Sequence, residues 1–369
     1  MVYDSIVIGG GVIGSAIALR LAQAGQRVLV LERSIPGAEA SSAAAGILGP
    51  QMEGAGADPL LRLGLESREA YPAFAEELLE LSGIQVGFER SGLLLIALEG
   101  EDPAPLETRL AWQREAELEV EWLSGDEARR LEPALSERVL AALLFPREGR
   151  VDPRALARAL PLAATRAGAL FRTARVRRLL VEKGRAEGVE LEDGEKVAGR
   201  NVVVAAGAWT SQVEGLALGA GTIEPLRGQM VELVHPELGL RRVVFSSRGY
   251  VVPRGEGRFV AGSTMERVGY EKKVTAEGAL RILQQAITSI PPLAKAEPTS
   301  FWAGLRPCPI DGLPLIGATQ VEALYLCSGH HRNGILLTPK SAELLAKTIL
   351  EGKEPAELAP FSPRRFAAA

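Results

Sequence analysis

The sequence predicts a mixed α/β protein, in which a nucleotide-binding domain with a central parallel sheet is joined to an α+β domain with antiparallel sheet. The chain opens with an apolar strand, a glycine-rich turn, a helix and a second strand within residues 3–33. Residues 201–205 are nearly all apolar and β-branched, which is typical of a strand buried in a parallel sheet. Residues 223–265 alternate between apolar and polar side chains, as antiparallel strands do.

The opening unit has the order of elements that a dinucleotide-binding fingerprint requires, so the first domain is expected to be Rossmann-like. Its turn carries the spacing Gly9-x-Gly11-x-x-Gly14, and its second strand ends in Glu32. Gly9 permits the tight turn, Gly11 lets the backbone approach a pyrophosphate, and Gly14 lets the helix pack on the strand. Glu32 is expected to accept hydrogen bonds from the adenosine ribose. The unit alone leaves open whether the ADP moiety belongs to NAD or FAD.

Composition excludes several classes of function. At 369 residues the chain is long enough for two domains, and its 42 basic and 46 acidic residues are interspersed, which argues against a nucleic-acid partner. No apolar run is long enough to span a membrane and no basic leader is present, so we expect a cytoplasmic protein. The two cysteines, Cys308 and Cys327, suit a reducing compartment. The adjacent His330 and His331 lack an accompanying carboxylate or cysteine motif, so no metal site is predicted.

The remaining elements follow from periodicity and turn residues. Helices are predicted over residues 59–82, 105–131, 152–167, 274–290 and 335–350. A strand pair is predicted over 86–98, and single strands over 176–181, 188–191, 230–234, 243–246, 250–253, 259–262 and 324–328, with a loop over 308–317. Asp193-Gly194 is a hairpin signal.

This alternation predicts two discontinuous domains. The cofactor-binding domain is assigned residues 1–82, 145–222 and 300–369, and the substrate-binding domain residues 83–144 and 223–299.

Six stretches then identify a family resemblance. They are the opening turn with Glu32, Ala40-Ser41-Ser42-Ala43-Ala44-Ala45-Gly46, Ala205-Ala206-Gly207-Ala208-Trp209, Gly249-Tyr250-Val251-Val252-Pro253-Arg254, Phe301-Trp302-Ala303-Gly304-Leu305-Arg306-Pro307 and Gly329-His330-His331-Arg332-Asn333-Gly334-Ile335. Together they resemble the D-amino-acid-oxidase-like flavoproteins, and within that superfamily most closely the glycine oxidases of thiamine biosynthesis. The combination is highly specific and favours FAD as the cofactor.

The resemblance implies which residues bind FAD. They are Gly9, Gly11, Val12, Ile13, Gly14, Glu32, Arg33, Ser41, Ser42, Ala45, Gly46, Ile47, Val176, Ala206, Gly207, Trp209, His330, His331, Asn333, Gly334, Ile335 and Leu336. The final helix would point its positive N-terminus at the pyrimidine end of the flavin, where reduced flavin carries negative charge.

The resemblance also implies a substrate site. Arg306 corresponds to the arginine that binds an amino-acid carboxylate, because a planar guanidinium matches a carboxylate in two hydrogen bonds. Tyr250 would complete that contact through its hydroxyl, and Arg332 corresponds to a second arginine. Met265 is assigned to the pocket wall, with a plain core methionine as the alternative.

The implied reaction is oxidative deamination of glycine and related small amines or D-amino acids. Hydride would pass from the α-carbon to flavin N5, giving an imine or 2-oxo acid and, with oxygen, hydrogen peroxide. Positioning matters more than a protein base in such a reaction, so no general base is assigned. Relatives suggest a homo-oligomer, with a tetramer as one form.

Other activities stay open. They are a D-amino-acid dehydrogenase that passes electrons to a quinone or protein, a sarcosine oxidase-like enzyme, and a tRNA-modifying flavoprotein; the opening unit alone also allows an NAD dehydrogenase. Two departures from the glycine oxidases, Arg248 and Ile47, could alter substrate preference. Cys308 falls where sarcosine-oxidase relatives link covalently to the flavin, but a free thiol is favoured.

Overall fold

A computed structural model describes residues 2–219 and 221–366. The strands are β1 Val2–Ile8, β2 Val28–Glu32, β3 Ile47–Leu48, β4 Leu93–Leu98, β5 Glu121–Ser124, β6 Val139–Phe145, β7 Gly149–Arg150, β8 Leu170–Thr173, β9 Val176–Glu182, β10 Arg185–Leu191, β11 Lys196–Val204, β12 Ile223–Val234, β13 Val243–Ser246, β14 Gly249–Pro253, β15 Arg258–Gly262, β16 Glu297–Pro309, β17 Leu315–Ala318 and β18 Leu324–Ser328.

Helices pack against these strands. The α-helices are α1 Val12–Gln23, α2 Ala40–Ala43, α3 Pro50–Glu53, α4 Pro59–Ser82, α5 Ala104–Glu115, α6 Gly125–Leu131, α7 Pro153–Arg166, α8 Ala276–Ser289 and α9 Gly334–Glu351. Short 3₁₀ helices cover Gly207–Gln212, Pro291–Lys295, Ala356–Phe361 and Pro363–Phe366. Among the residues described, no helix has the length and apolarity needed to cross a membrane.

The first sheet has the strand order β17-β18-β11-β1-β2-β8, with β10 and β9 joined to β11. Its central strands run parallel, and Ile6 of β1 lies opposite Leu29 on one side and Val202 on the other. All three side chains are buried. These strands read as continuous apolar runs because both faces of the sheet are covered, on one side by α1, α4, α7 and α9.

The second sheet has the order β16-β12-β15-β14-β13-β4-β6-β5 and is antiparallel except where β13 meets β4. Strands β12 and β16 pair from Ile223 opposite Pro309 to Val234 opposite Glu297. One face of the sheet packs on α8 through Ile282 and Ala286. The predicted α/β class with parallel and antiparallel sheets is therefore confirmed.

Several predicted elements need correction. The strand pair over 86–98 is the single strand β4, because Gly92, with a φ of +82°, turns the chain just before it. The helix over 105–131 is divided into α5 and α6 by β5, and the loop over 308–317 contains the end of β16 and the start of β17. The hairpin at 193–194 is confirmed between β10 and β11.

The division into two domains remains a proposal. The strands of the first sheet fall in its cofactor-binding segments, whose outermost ends, residues 1 and 367–369, lie outside the described residues. Strand β16 begins before the proposed boundary at residue 300 and pairs with β12 of the second sheet. A division that follows the sheets would place this strand with the substrate-binding segments.

Candidate active site and cofactor cavity

A cavity of about 330 Å³ lies where the carboxyl ends of β1, β2, β11 and β18 meet the second sheet. Its size is within the range of small-molecule sites. The predicted residues that line it are Gly9, Gly11, Val12, Ile13, Glu32, Arg33, Ser41, Ala45, Gly46, Ile47, Val176, Ala206, Gly207, Trp209, Tyr250, Arg306, His330, His331, Arg332, Asn333, Gly334 and Ile335. The structure thus brings together residues from the two ends of the range between Gly9 and Ile335.

The glycine-rich turn suits a dinucleotide phosphate because its glycines carry no side chains and the N-terminus of α1 follows it directly. Gly9 has a φ of +105°, and a Cβ there would lie 2.5 Å from the Ala205 carbonyl oxygen. A Cβ on Gly14 would lie 2.0 Å from the Gly9 carbonyl oxygen, so Gly14 serves close packing beneath the turn and does not line the cavity. Ser41 Oγ accepts a hydrogen bond from the Val12 amide at 3.0 Å, which joins α2 to the N-terminus of α1.

The second strand ends in charged residues whose positions are fixed. The Glu32 carboxylate accepts hydrogen bonds from the amides of Gly10 at 2.7 Å and Ser34 at 3.0 Å. The Arg33 guanidinium lies 3.6 Å from the centre of the Trp209 ring and binds Glu39 at 2.8 Å. This end of the cavity therefore offers a fixed acid and an aromatic surface, both suited to an adenosine moiety.

Two histidines before α9 are held neutral by burial. His330 is bonded to Ser341 Oγ at 3.1 Å, and burial lowers its pKa to about 3. Burial, with the charges of Arg306 and Arg332, lowers the pKa of His331 to about 4. His331 Nε2 is buried and has no hydrogen-bond partner in the described part of the chain. Within the same part, no group of three potential metal ligands occurs.

The opposite end of the cavity carries Arg306 in a fixed orientation. Its guanidinium donates to Ser263 Oγ at 2.7 Å and to the Thr264 carbonyl at 3.2 Å. Gly228, on the adjacent strand, leaves the necessary space, because a Cβ there would lie 2.1 Å from Arg306 Nη1. Sequence reasoning missed Gly228, whose role depends on the register of β12 against β16.

Tyr250 and Arg332 also face this end. Tyr250 is buried, with its hydroxyl 3.3 Å from Met230 Sδ. Arg332 is paired with Glu53 at 2.9 Å, and Glu53 also lines the cavity. The Glu53 carboxylate compensates part of the charge of Arg332, which leaves Arg306 as the better candidate for an anionic substrate.

Three other predicted residues lie outside the cavity wall. Met265 is 57% exposed, so its assignment to the wall is wrong; the methionine in the wall is Met230, which faces inward from β12. Leu336 packs in the core, and its carbonyl accepts a hydrogen bond from Ser67 Oγ at 2.7 Å. Ser42 Oγ turns back to the Glu39 carbonyl at 3.3 Å. The sequence alone does not show whether the side chain of each residue points into the cavity or away from it.

Cys308 does not line the cavity either. It is half-buried, and burial raises the pKa of its thiol, which makes it a weaker nucleophile. This position supports the free thiol over a covalent link to the flavin.

A buried carboxylate supports the segment that carries Ile47 and Glu53. Glu148 Oε1 accepts hydrogen bonds from the amides of Gln51 and Met52 in the first turn of α3, while Oε2 has no partner among the described residues. Burial raises the pKa of Glu148 to about 8, despite the nearby charge of Arg68. Sequence reasoning gave no signal for this group.

Glu148 should therefore make folding stability depend on pH. Its contribution is complete below the ordinary glutamate pKa of 4.5 and is lost as the pH rises through about 8, because the unfolded chain releases the proton first. We expect Glu148→Gln, which cannot ionise, to gain roughly 2–4 kcal/mol relative to the unmodified protein between pH 5 and pH 9. Urea unfolding of both proteins across that range measures the difference. Parallel pH curves would show that Glu148 ionises normally.

Comparisons with known proteins agree with the cavity's chemistry. The family model described as DAO, FAD dependent oxidoreductase, matches residues 4–348. Glycine oxidase from Geobacillus kaustophilus is 38% identical over 372 residues, which cover 98% of this chain and 97% of that protein. The bifunctional protein ThiO/ThiG from Trichormus variabilis is 35% identical over 99% of this chain, which spans only 55% of that protein's length.

Solved structures show the same architecture. The crystal structure of glycine oxidase from Geobacillus kaustophilus matches with a TM-score of 0.93 and 36% identity over 98% of each chain. Iminodiacetate oxidase from Chelativorans sp. BNC1 matches with a TM-score of 0.88 and 30% identity, over 98% of this chain and 99% of that one. The cofactor is thus FAD, as the resemblance implied, and the bare glycine turn and Glu32 fit its ADP half. The chain belongs to the DAO family of FAD-dependent oxidoreductases and is an amine or amino-acid oxidase.

Proposed function

We propose that the protein oxidises glycine and related small amines such as sarcosine and D-alanine. The observation that carries this proposal is the Arg306 guanidinium, fixed by Ser263 and Thr264 at the end of the FAD cavity. A carboxylate would accept two parallel hydrogen bonds from the N–H groups along one edge of the guanidinium plane. The 38% identity to a glycine oxidase supports the same class of substrate.

The walls around Arg306 favour a small substrate. Tyr250 lies between Met230, at 3.3 Å from its hydroxyl, and Phe245, whose ring centre is 5.0 Å away. All three side chains line the cavity, and we expect them to limit the size of the substituent on the α-carbon. By turning from Met230, the Tyr250 hydroxyl can donate a third hydrogen bond to the bound carboxylate.

The proposed chemistry depends on positioning. FAD, when bound, supplies the acceptor for the hydride of the substrate α-carbon. Arg306 and Tyr250 fix the carboxylate, and therefore the direction of the α-carbon bond. His331 is neutral at physiological pH, so it adds no third positive charge beside Arg306 and Arg332. We assign no general base. The imine product would hydrolyse to a 2-oxo acid and ammonia, with methylamine in place of ammonia when sarcosine is the substrate. The imine of glycine would alternatively serve thiazole formation in thiamine synthesis, which the likeness to ThiO/ThiG supports.

An anaerobic titration tests this function. Glycine, sarcosine, D-alanine and D-proline are added separately to the oxidised holoenzyme, and the absorbance of the flavin is followed. We expect glycine to bleach the flavin, and readmitted oxygen to restore the colour with one hydrogen peroxide per flavin. Failure of all four amines to bleach it would refute the proposal.

The same experiment separates the alternative acceptors. Reduced enzyme that recovers its colour with a quinone, but not with oxygen, would be a dehydrogenase. A tRNA-modifying role instead requires salt-dependent tRNA binding, which we do not expect. A homo-oligomer, with a tetramer as one form, also remains a proposal, and light scattering on the holoenzyme measures its mass.

A further inference from the structure

One surface segment of the second sheet reaches both ends of the cofactor cavity. Residues 263–273, here called the strap, form most of the connection from β15 to α8. At its start, Ser263 and Thr264 accept hydrogen bonds from Arg306. Near its end, the Tyr270 hydroxyl donates to the Ala208 carbonyl at 3.1 Å, and Lys272 Nζ lies 2.8 Å from a Glu39 oxygen. Ala208 and Glu39 both line the cavity.

The middle of the strap is anchored separately from its far end. The Arg227 amide and carbonyl exchange hydrogen bonds of 3.0 Å with those of Glu266, and the buried Arg227 side chain binds the Glu266 carboxylate at 2.6 Å. Beyond this anchor the strap crosses to residues that follow β2 and β11 of the first sheet. Its side-chain contacts there come from Tyr270 and Lys272.

The contacts of Tyr270 and Lys272 complete a ring of interacting side chains at the end of the cavity where we place the ADP moiety. Trp209 lies between the Arg33 guanidinium, 3.6 Å from its ring centre, and the Tyr270 ring, whose centre is 5.8 Å away at an angle of 34°. Glu39 in turn binds both Arg33 and Lys272 at 2.8 Å. Arg33 directly follows Glu32, whose carboxylate suits the adenosine ribose.

We propose that Tyr270 and Lys272 are positioning residues that hold Trp209, Arg33 and Glu39 over the ADP half of FAD and thereby slow its release. This inference depends on the proposed placement of the ADP half beside Glu32, and does not depend on the amine substrate. Tyr270 is 41% exposed, so its removal opens no buried void. The strap thus links the second sheet to the residues of the first sheet that surround the cofactor site.

The test measures release of FAD from full-length holoenzyme. Holoenzyme is diluted into excess apoprotein of another flavoprotein that captures free FAD, and the loss of bound flavin is followed spectroscopically. We expect Tyr270→Ala to release FAD about tenfold faster, because a hydrogen bond and an aromatic contact are each lost. Tyr270→Phe, which keeps the ring, should give about a threefold change, and Lys272→Ala a similar one.

Lys273→Ala is the matched control. Lys273 lies beside Lys272 but binds Glu271 of the strap itself, at 2.5 Å, so the rate should not change. The thermal midpoints of the Tyr270 variants should fall further in the holoenzyme than in the apoprotein. With saturating FAD, their kcat and KM should match those of the unmodified enzyme.

Several results would overturn the inference. Unchanged release from Tyr270→Ala, an equal effect of Lys273→Ala, or equal destabilisation of the apoprotein would show that the strap does not hold FAD. A loss of kcat/KM at saturating FAD with unchanged release would assign the strap to the substrate site instead. Faster release of FAD from the Tyr270 variants of a protein that glycine fails to reduce would support the role of the strap and reject the proposed substrate.

Discussion

Replacing Arg306 with alanine is expected to lower kcat/KM for glycine about a thousandfold, equivalent to about 4 kcal/mol. The substrate carboxylate would lose a bidentate, charge-assisted partner inside a cavity where water replaces it poorly. Steady-state rates and the anaerobic dissociation constant for glycine measure the loss. FAD content should stay normal, because Arg306 lies away from the glycine-rich turn.

Two further variants serve as a charge-conserving comparison and as a control for this test. Arg306→Lys keeps the positive charge but lacks the planar fork, so it should recover only part of the activity. Arg267→Ala removes an exposed arginine that is paired with Glu224, and should leave kcat/KM unchanged. An unchanged KM for glycine in Arg306→Ala would refute the assignment of the carboxylate to this residue.

Replacing Gly14 with alanine should produce a less stable protein that retains little FAD. The added Cβ would lie 2.0 Å from the Gly9 carbonyl oxygen, which belongs to backbone and cannot rotate away. Either α1 moves away from the sheet or the turn deforms, and either change should lower the free energy of unfolding by about 3 kcal/mol. Thermal unfolding and the ratio of flavin to protein absorbance report the two effects.

Gly239→Ala is the control, because a Cβ there has open space around it and the backbone is not left-handed. Alanine favours a helix over glycine by about 1 kcal/mol, so intrinsic propensity alone would make Gly14→Ala more stable. A stable Gly14→Ala holoenzyme would therefore contradict the close packing seen here.

Local patterns predicted the opening unit well, because strand, glycine spacing, helix and final acid are all set by neighbours along the chain. The cavity could be predicted only from motifs that resemble a known family, since Glu32 and Arg306, at its two ends, line the same cavity only through tertiary structure. The resemblance assigns Met265 to the wall wrongly, because Met265 lies in the connection after β15 and its side chain is exposed. Met230 occupies that wall from another strand.

Contacts between polar groups that lie far apart in the sequence could not be predicted from the sequence. The Glu148 carboxylate caps α3 from almost a hundred residues away. Tyr270 and Lys272 lie in a polar stretch that would be read as an ordinary loop. Their significance comes from what they touch across the two sheets, which no periodicity encodes.

The discontinuous cavity also determines when FAD can first be bound during synthesis. The glycine-rich turn is translated about three hundred residues before its partners in the cavity, the parallel neighbour β18 and the residues before α9. An unfinished chain that stops before residue 324 lacks His331, Asn333 and Ile335, and the sheet stays open at β11. With these residues holding FAD as proposed, the cofactor can be bound fully only after the chain has been synthesised through residue 335, and until then the edge of β11 that pairs with β18 is open to wrong pairing.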